Sequence, residues 1–435
     1  MVSLLWLACT PTPTPPEAVG LLDFGHHAPT NLLWVGVDTL RRDRVGRYGG
    51  GALTPTLDRL LSEGVALDQH RSCSNWTYAS LVCATAGRSQ LDLGFAPYGS
   101  EMLPDDLTLL PELLRGEGYR TELVTASGFV GPTGGYSERF HDSQYTRGMD
   151  ALDINDRALA TLETLLDDDT PWFLQLHYQD PHDPYDPPDG WAELEGLAPI
   201  DYELTGSEWG ELMDEWPDLP ADEQALIMAH IDARYAGEIA YWDAALGDLM
   251  AELQDMPGAL EDTLVVLWAD HGEQFWEHGE ITHGLDLFLE ETASIGGLWT
   301  LSGDLGGPGL APAAWATPTT HVDLHAAAMQ GISQRAVDGV SAVLVGDEPD
   351  PDRTLSMLRY HLRDDPSLHA IEQSGWRYHV YWDGRSGLYD VSSDPDELVD
   401  RSVDEAERAA EMRALLAPQI QALAELKGIE PPEGF

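Results

Sequence analysis

Nearly continuous apolar runs recur along the first two thirds of the chain and predict buried β-strands. The runs are Asn31–Asp38, Tyr119–Ser127, Pro171–Tyr178 and Asp262–Asp270. A strand of a parallel sheet is covered on both faces, and it therefore reads as an unbroken hydrophobic run rather than as an alternating one. The pattern predicts a large, mainly parallel sheet.

Segments with the helical spacing of apolar positions lie between these runs. They are Thr54–Gly64, Arg157–Asp169 and Ala221–Leu253, and the first ends on a glycine, which is a common helix stop. Alternation of strands and helices is typical of an α/β fold in which helices flank a parallel sheet. In such folds ligands bind at the carboxyl ends of the strands, so the residues at those ends become the candidates for chemistry.

The last quarter of the chain has a different pattern. Trp376–Asp383 and Ser386–Asp394 alternate between apolar and polar residues, as the two strands of an antiparallel hairpin do, and a helix is predicted over about 404–426. We therefore expect a catalytic domain over residues 31–344 and a small C-terminal α+β subdomain over residues 345–435.

The charge balance excludes one class of partner. The chain has 76 acidic and 23 basic residues, a formal net charge of -53, and its only lysine is Lys427. Such a surface repels nucleic acid and anionic lipid, so a nucleic-acid role is not expected. We interpret the excess of acid as a solvated shell suited to a salty medium.

The N-terminus suggests an exported protein, and the three cysteines are too few for a disulfide framework. Residues 1–30 combine a short apolar run ending at Ala8-Cys9 with a Thr/Pro linker, which resembles a truncated lipoprotein signal with Cys9 as the lipidated residue. We expect periplasmic or cell-surface localisation, with contact to membrane only through that anchor. Cys73 and Cys83 either pair in an oxidising compartment or remain two separate buried thiols.

Two predicted strands end in an acid. Asp38 ends the first strand, and Asp270 ends the last and is followed directly by His271. An acid at a strand end can simply cap the next turn. Together, however, the two carboxylates and the imidazole form a mixed oxygen and nitrogen set that suits a divalent cation.

Thr77 opens a small apolar helix that closes at Gly87 and Arg88. A cation within reach would lower the pKa of the Thr77 hydroxyl and make it a nucleophile, and the helix N-terminus would attract an anion. The competing interpretation is that Thr77 is only the N-cap of this helix, with Ser80 nearby. The residues leave both interpretations open.

Histidines cluster in two loops that leave predicted strand ends. The first loop contains His177 and His182, and the second contains His271, His278 and His283. A single loop histidine is usually polar surface, but five in two such loops indicate a site. Histidine can protonate a leaving group or bind an anion as imidazolium.

These segments resemble the sulfatase family of the alkaline phosphatase superfamily, in family order from about Asn31 to about Ser402. The segments that carry the resemblance are "NLLWVGVDTLRRDRVGRYGG", "TPTLDRLLSEGVAL", "NWTYASLVCATAGR", "HYQDPHDPYDPP", "VVLWADHGEQFWEHG", "HVDLHAAAM" and "WRYHVYWDGRSGLYDVSSDPDE". The resemblance implies an alkaline-phosphatase/sulfatase-like fold with one divalent metal ion. It implies the metal ligands Asp38, Asp270 and His271, and the active-site residues His182, His283, His177 and Arg88.

Two departures from the family pattern bear on the substrate. Sulfatases have at the nucleophile position a cysteine or serine that is oxidised to formylglycine, whereas the family spacing from Gly87-Arg88 places Thr77 there, and threonine cannot be converted. Leu81 stands where the family has an arginine. Thr39 replaces the second acid of the opening pair, and fewer oxygens with an imidazole favour Mn or Zn over Ca.

The sequence therefore predicts a metal-dependent hydrolase that cleaves sulfate or phosphate esters through a covalent Thr77 intermediate. A phosphoester or phosphodiester is favoured, because a threonine adduct lacks the elimination route of formylglycine. The resemblance to threonine enzymes of the superfamily leaves a phosphoglycerol or phosphoethanolamine transferase as an alternative. A sulfatase-like binding module without turnover is the other, supported by the missing arginine and acid.

Overall fold

The computed structural model describes residues 30–93, 102–202, 204, 209–300, 313–315, 317–333, 350–359 and 368–435. The predicted leader and linker over residues 1–29, with Cys9, lie outside these ranges. The predicted boundary between residues 344 and 345 lies outside them as well. Among the described residues, no helix combines the length and the apolar character needed to cross a bilayer.

The strands form one large sheet, one four-stranded sheet and two short ribbons. In chain order they are β1 (Asn31–Val37), β2 (Val65–Leu67), β3 (His70–Arg71), β4 (Arg120–Thr125), β5 (Asp142–Tyr145), β6 (Trp172–Tyr178), β7 (Thr263–Ala269), β8 (Gln274–Phe275), β9 (Ile281–Thr282), β10 (Gly296–Trp299), β11 (Ala313–Trp315), β12 (Thr319–Thr320), β13 (Leu355–Arg359), β14 (Leu368–Gln373), β15 (Trp376–Tyr381) and β16 (Ser386–Asp390). The predicted α/β fold with a large, mainly parallel sheet and a C-terminal antiparallel sheet is confirmed.

The helices pack against these sheets. In chain order they are α1 (Pro55–Glu63), α2 (Thr77–Ala86), α3 (Gln90–Leu93), α4 (Leu110–Gly116), α5 (Ala151–Leu165), α6 (Trp209–Glu215), α7 (Ala221–Asp255), α8 (Leu289–Thr292), α9 (His321–Ser333) and α10 (Ala406–Lys427). The predicted helix at residues 157–169 begins six residues earlier, because the Asp150 side chain accepts a hydrogen bond from the Asp153 amide and caps the helix there.

The large sheet has the strand order β11-β2-β10-β7-β1-β6-β4-β5. Its five strands from β7 to β5 are parallel, and β10 runs antiparallel to β7. Successive side chains of β1 point to opposite faces, so Leu33 and Val35 join a core with α1, α5 and α7 while Leu32 and Trp34 join a core with α2, α4 and α9. Burial on both faces explains why these strands are apolar throughout.

The C-terminal subdomain is the antiparallel sheet β13-β14-β15-β16 packed on α10. A buried ion-pair network ties it to the catalytic body. Arg71, on β3, donates two hydrogen bonds to Glu372 on β14, with N···O distances of 2.8 and 2.7 Å. Arg377, on β15, donates to the same carboxylate at 3.1 Å. The Glu372 carboxylate therefore pairs with two buried guanidinium groups across the junction, and Glu397 lies 3.4 Å from Arg377 as a second acid.

Replacing Glu372 by glutamine is expected to lower the free energy of unfolding by about 3–5 kcal/mol, because Arg71 would lose its carboxylate partner while buried and Arg377 would keep only the carboxylate of Glu397, at 3.4 Å. Burial alone would raise the pKa of Glu372, but the charge of Arg71 outweighs it and lowers that pKa below 4.5. This stabilisation is present above the unfolded-state pKa and is lost as the pH falls through the folded-state pKa.

Urea unfolding of both proteins at neutral and at acid pH checks this, and the gap between them should shrink on acidification. The matched control is Glu63→Gln, which removes the exposed pair of Arg59 and Glu63 and should change stability by less than about 0.5 kcal/mol. A Glu372 variant as stable as the control would show that the junction does not depend on this network.

Candidate active site

The candidate site lies at the carboxyl ends of neighbouring parallel strands. Asp38 follows β1, and Asp270 and His271 follow β7, while His177 is the penultimate residue of β6. In the parallel register Gly36 lies beside His177 and Val37 beside Ala269, so the strand ends are level. The expectation that strand-end residues converge is therefore met by residues more than two hundred positions apart.

Two carboxylates and two imidazoles face one another in this cluster. Nε2 of His271 lies 3.7 Å from Asp38 Oδ1 and 3.7 Å from Asp270 Oδ2. Nε2 of His177 lies 3.6 Å from Asp38 Oδ2 and 3.9 Å from Asp270 Oδ2. All four side chains are at most 1% exposed. We call these four residues the ligand cluster.

The ligand cluster fits a divalent cation. Oδ2 of Asp38, Oδ2 of Asp270 and both ring nitrogens of His177 are buried without a hydrogen-bond partner in the described residues. One atom each from Asp38, His177 and Asp270 lies within 4.8 Å of the others, which is compact enough to hold an ion. Buried polar atoms without partners are costly, so a cation that accepts their lone pairs explains why they converge.

The protonation states of the two acids differ in the absence of an ion. Burial, and then the negative charge of Asp38, raises the pKa of Asp270 to about 8. Burial would also raise the pKa of Asp38, but the nearby charge of His182 and the contact with His177 outweigh burial and lower it. Two buried carboxylates therefore share about one negative charge until a cation arrives.

Backbone groups hold the ligand cluster in place. The amides of Thr39 and His271 donate to Oδ1 of Asp270 at 3.1 and 2.8 Å, which leaves Oδ2 for an ion. Nδ1 of His271 lies 2.9 Å from the Gly272 carbonyl oxygen, so Nδ1 carries the proton and Nε2 offers its lone pair. Burial lowers the pKa of His271, which keeps the ring neutral.

Thr39 takes an unusual backbone conformation, with φ at 55°. Its carbonyl oxygen accepts a hydrogen bond from the Tyr235 hydroxyl at 2.6 Å, and the same hydroxyl accepts from the Arg41 amide at 2.8 Å. A threonine with positive φ is strained and persists only where its surroundings fix it. The hydrogen bonds of Tyr235, on α7, hold Thr39 in this conformation and orient the turn after Asp38.

Thr77 faces the ligand cluster. Its Oγ1 lies 3.2 Å from Nε2 of His271 and 3.5 Å from Oδ1 of Asp38. Thr77 is the first residue of α2 and Trp76 occupies the N-cap position, so the alternative that Thr77 is the N-cap is wrong. Ser80 points elsewhere and donates to the Ser74 carbonyl oxygen at 3.0 Å. The Thr77 hydroxyl is thus the side-chain group at the helix N-terminus that faces the ion site.

The loop before Thr77 is fixed by a disulfide and by a buried carboxylate. Cys73 and Cys83 are paired, with a Cα–Cα distance of 6.5 Å, so the disulfide is the alternative found in the structure. Glu291 accepts hydrogen bonds from the Asn75 side chain at 2.9 Å and from the Gly284 amide at 2.8 Å. Glu291 therefore connects the loop of Thr77 with the loop of His283.

The two predicted active-site histidines are adjacent, with ring centroids 5.0 Å apart, and differ in charge. Burial alone would lower the pKa of His182, but the charges of Asp38 and Asp183 raise it to about 9. Burial, and then the positive charge of His182, lowers the pKa of His283 to about 4. Nδ1 of His283 lies 2.9 Å from a Glu273 oxygen, which orients the ring. The site therefore pairs one charged with one neutral imidazole.

A cavity of about 300 Å³ opens onto these groups. Asp38, Thr77, His182 and His283 line its inner end. Trp76 and Phe129 form an aromatic wall, with ring centroids 5.4 Å apart. The volume suits a small ester, since ligand cavities commonly span ~300–1,000 Å³.

Arg88 does not reach the site, and its predicted active-site role is wrong. It follows the C-terminal end of α2, the opposite end from Thr77, and its exposed side chain donates to the Asp92 carbonyl oxygen. A ten-residue helix is about 15 Å long, and this length separates the two residues. His177, predicted as an active-site residue, lies in the ligand cluster.

Several residues of the site were not predicted from the sequence. Arg147 lines the cavity and follows β5, whose residues "DSQY" are too polar to be recognised as a strand. Glu273 and Glu291 are fully buried acids within loops, and their burial has no signature in the local pattern. For Glu273 a signal existed, because it follows the strand-end pair Asp270-His271 by two residues.

Sequence comparison finds sulfatases among the proteins similar to this chain. The chain is 27% identical over 251 residues to a sulfatase of Formosa agariphila, covering 53% of this chain and 46% of that protein. It is 27% identical over 244 residues to the choline-sulfatase of Rhizobium meliloti, covering 52% and 46%. The chain thus spans just under half the length of these relatives.

The fold is shared with solved structures. One is a protein in complex with its substrate D-glucosamine-2-N, 6-O-disulfate, with a TM-score of 0.72 at 16% identity, covering 94% of this chain and 100% of that chain. Another is a phosphonate monoester hydrolase from Silicibacter pomeroyi, with a TM-score of 0.71 at 18% identity, covering 91% and 95%. The family model for sulfatases matches residues 30–324, more than half of the sequence. The chain belongs to the sulfatase family of the alkaline phosphatase superfamily.

Proposed function

We propose that the protein is a metal-dependent hydrolase that cleaves sulfate or phosphate esters through a covalent Thr77 intermediate, with phosphoesters and phosphodiesters favoured. The observation that carries this proposal is the position of Thr77. Its hydroxyl oxygen lies 3.2 and 3.5 Å from two residues of the ligand cluster and lines the cavity at the start of α2. A threonine with a purely structural role would need neither the contact with His271 nor the contact with Asp38.

The ligand cluster would hold one divalent cation, with manganese or zinc preferred for its nitrogen content. A cation bound there supplies positive charge that lowers the pKa of a nearby hydroxyl and offsets charge on the ester. The first amides of α2 add the positive end of the helix dipole on the same side.

The two histidines supply the proton transfers. As the Thr77 oxygen forms its bond to phosphorus, the bond from phosphorus to the organic oxygen breaks, and charged His182 donates a proton to that oxygen. Neutral His283 is the candidate base for the Thr77 proton. In the second half, water loses a proton to His182 and attacks phosphorus, and His283 returns a proton to Thr77. In the protein without a cation the pKa shifts of the two rings are opposite in direction, which supports assigning them opposite roles.

The threonine favours phosphate over sulfate. Formylglycine releases sulfate by elimination through its second hydroxyl, whereas a threonine ester must be attacked at phosphorus or sulfur. The attack of Thr77 on the substrate and the later attack on the threonine ester are both in-line displacements. The ligand cluster and the histidines can stabilise each of them. Solved proteins of this fold include a sulfate-ester complex and phosphonate monoester hydrolases, so the architecture accommodates either acid.

Trapping the intermediate tests the proposal. The protein is incubated with manganese or zinc and with phenyl phosphate, a phenyl phosphodiester or phenyl sulfate, then quenched in acid and digested. Mass spectrometry should find the transferred group on the Thr77 peptide, at Thr77 rather than at Tyr78 or Ser80: a phosphoryl group from the monoester, an esterified phosphoryl group from the diester, or a sulfuryl group from phenyl sulfate. Addition of glycerol would divert the product to a glycerol ester if the protein is a transferase. Absence of turnover and of an adduct with every ester would favour the non-catalytic binding module.

A further inference from the structure

The outer end of the cavity has a charge that the proposed chemistry does not use. Arg147 lines the cavity together with Thr77 and Asp38, and it lies in the turn after β5, the edge strand of the large sheet. Its side chain is exposed, and within the described part of the chain no carboxylate lies within ion-pair distance of it. In a protein with 76 acidic residues against 23 basic ones, an arginine left without an acid partner is notable.

Strand spacing shows which part of a substrate Arg147 can reach. Three steps separate β5 from β1 in the order β1-β6-β4-β5, and neighbouring strands lie about 4.8 Å apart, so the two strand ends are about 14 Å apart. Arg147, two residues beyond β5, therefore lines the cavity from the edge-strand side, whereas Asp38 lines it from the strand at the centre of the sheet. Arg147 is therefore placed to contact the organic part of the ester.

The wall between Thr77 and Arg147 is aromatic. Trp76 and Phe129 cover one side, and Tyr145 continues the lining toward Arg147. Gly131 and Gly128 let the loop after β4 approach the Tyr145 ring, because a Cβ added at Gly131 would lie 2.9 Å from ring atoms of Tyr145. The lining thus combines aromatic side chains with Thr77 and Arg147, and it offers a flat apolar group a surface to pack on.

We propose that the substrate carries a second anionic group on its organic part, and that Arg147 binds this group across the aromatic wall. The proposal rests on the proposed function, since it names the class of ester that the same site takes. A planar guanidinium forms paired hydrogen bonds with carboxylate, sulfate or phosphate oxygens, so any of these satisfies it. Arg147 is thus a specificity residue at a distance from the bond that breaks.

The test compares two esters that differ only by the second anion, phenyl phosphate and para-carboxyphenyl phosphate. The variants are Arg147→Gln and, as a matched control, Arg88→Gln, which removes an exposed arginine outside the cavity. We expect Arg147→Gln to lower kcat/KM for the carboxylated ester about tenfold at low salt and to change that for phenyl phosphate less than about twofold. For each ester, kcat/KM of the variant is divided by kcat/KM of the wild-type protein. Comparing these two quotients cancels the different reactivities of the two leaving groups.

Loss of activity on both esters alike would overturn the proposal, because it would place Arg147 with the reacting group or with the fold. No loss on either would overturn it as well and would leave an exposed arginine with no role. Binding of the products gives a readout that does not depend on turnover. Wild-type protein should bind para-hydroxybenzoate more tightly than phenol, and Arg147→Gln should remove that difference. If wild-type protein turns over neither ester, the proposed function fails while this binding comparison still decides the role of Arg147.

Discussion

Replacing Thr77 by alanine is expected to lower kcat for ester hydrolysis by roughly 10⁴-fold or more, because loss of a nucleophile removes the covalent route entirely. The Thr77 side chain is small and buried, so its loss leaves little empty volume and should cost little stability. The ligand cluster stays intact in this variant, and bound cation should be retained. A large loss of kcat with an unchanged metal content therefore identifies a chemical role.

Two further variants sharpen this result. Thr77→Ser keeps the hydroxyl and should retain measurable turnover, whereas Thr77→Val keeps the shape and should be as inactive as Thr77→Ala. The matched control is Thr85→Ala on the same helix, whose hydroxyl donates to the Leu81 carbonyl oxygen at 2.7 Å and does not face the site. Steady-state assays with metal analysis of each variant provide the measurement. Turnover of Thr77→Ala at the wild-type rate would remove the proposed nucleophile.

Replacing Asp270 by asparagine is expected to have opposite effects with and without a cation. Asparagine keeps an Oδ1 that can accept from the Thr39 and His271 amides, but it removes the charge at Oδ2. With cation at about 100 times its Kd, the wild-type protein should gain about 2.7 kcal/mol of stability, and the variant should lose most of that gain. Activity should fall to that of cation-free wild-type protein.

Without a cation the same variant should be the more stable protein, increasingly so at higher pH. The pKa of Asp270 is raised from 3.8 to about 8, so its protonated form stabilises the fold fully below 3.8. That stability is lost as the pH rises through 8, when a second negative charge must form beside Asp38. Asparagine has no proton to lose, so its advantage grows over this range.

Thermal unfolding of both proteins, with a chelator or with added manganese or zinc, measures these two effects. The matched control is Asp262→Asn, an exposed acid at the other end of β7. This control should show the wild-type response to cation. A variant that still gains full stability from the cation would exclude Asp270 as a ligand.

The fold and the ligand cluster were largely predictable, because both depend on strands that are covered on two faces. The runs ending at Asp38 and Asp270 are apolar throughout, and parallel neighbours bring their carboxyl ends together whatever their separation in sequence. The same reasoning placed His177 at a strand end. It could not tell whether the ring contacts a cation or a substrate, because that depends on rotamers and distances of a few ångströms.

Arg88 and Arg147 show where the sequence pattern no longer predicts which residues reach the site. Arg88 lies eleven residues after Thr77 in the sequence, yet the length of α2 separates the two residues in space. Arg147 is seventy residues from Thr77, and a polar edge strand brings it to the cavity. Spacing along the sequence favours Arg88 over Arg147 as a site residue, whereas the order of strands in the sheet favours Arg147. Buried acids such as Glu291 are likewise invisible until the loops around them are placed.

The hydrogen bonds of Glu291 join two loops on one side of the cavity. Because one carboxylate holds both the loop before Thr77 and the His283 loop, a change in either would disturb the other. The opposite rim, formed by the turns after β4 and β5, shares no such link through Glu291. Substitutions of Tyr145 and Arg147 should therefore alter which organic group is accepted with less effect on the reacting end than substitutions of Phe129, which packs against Trp76 next to Thr77, and new substrate preferences in relatives should map to that rim.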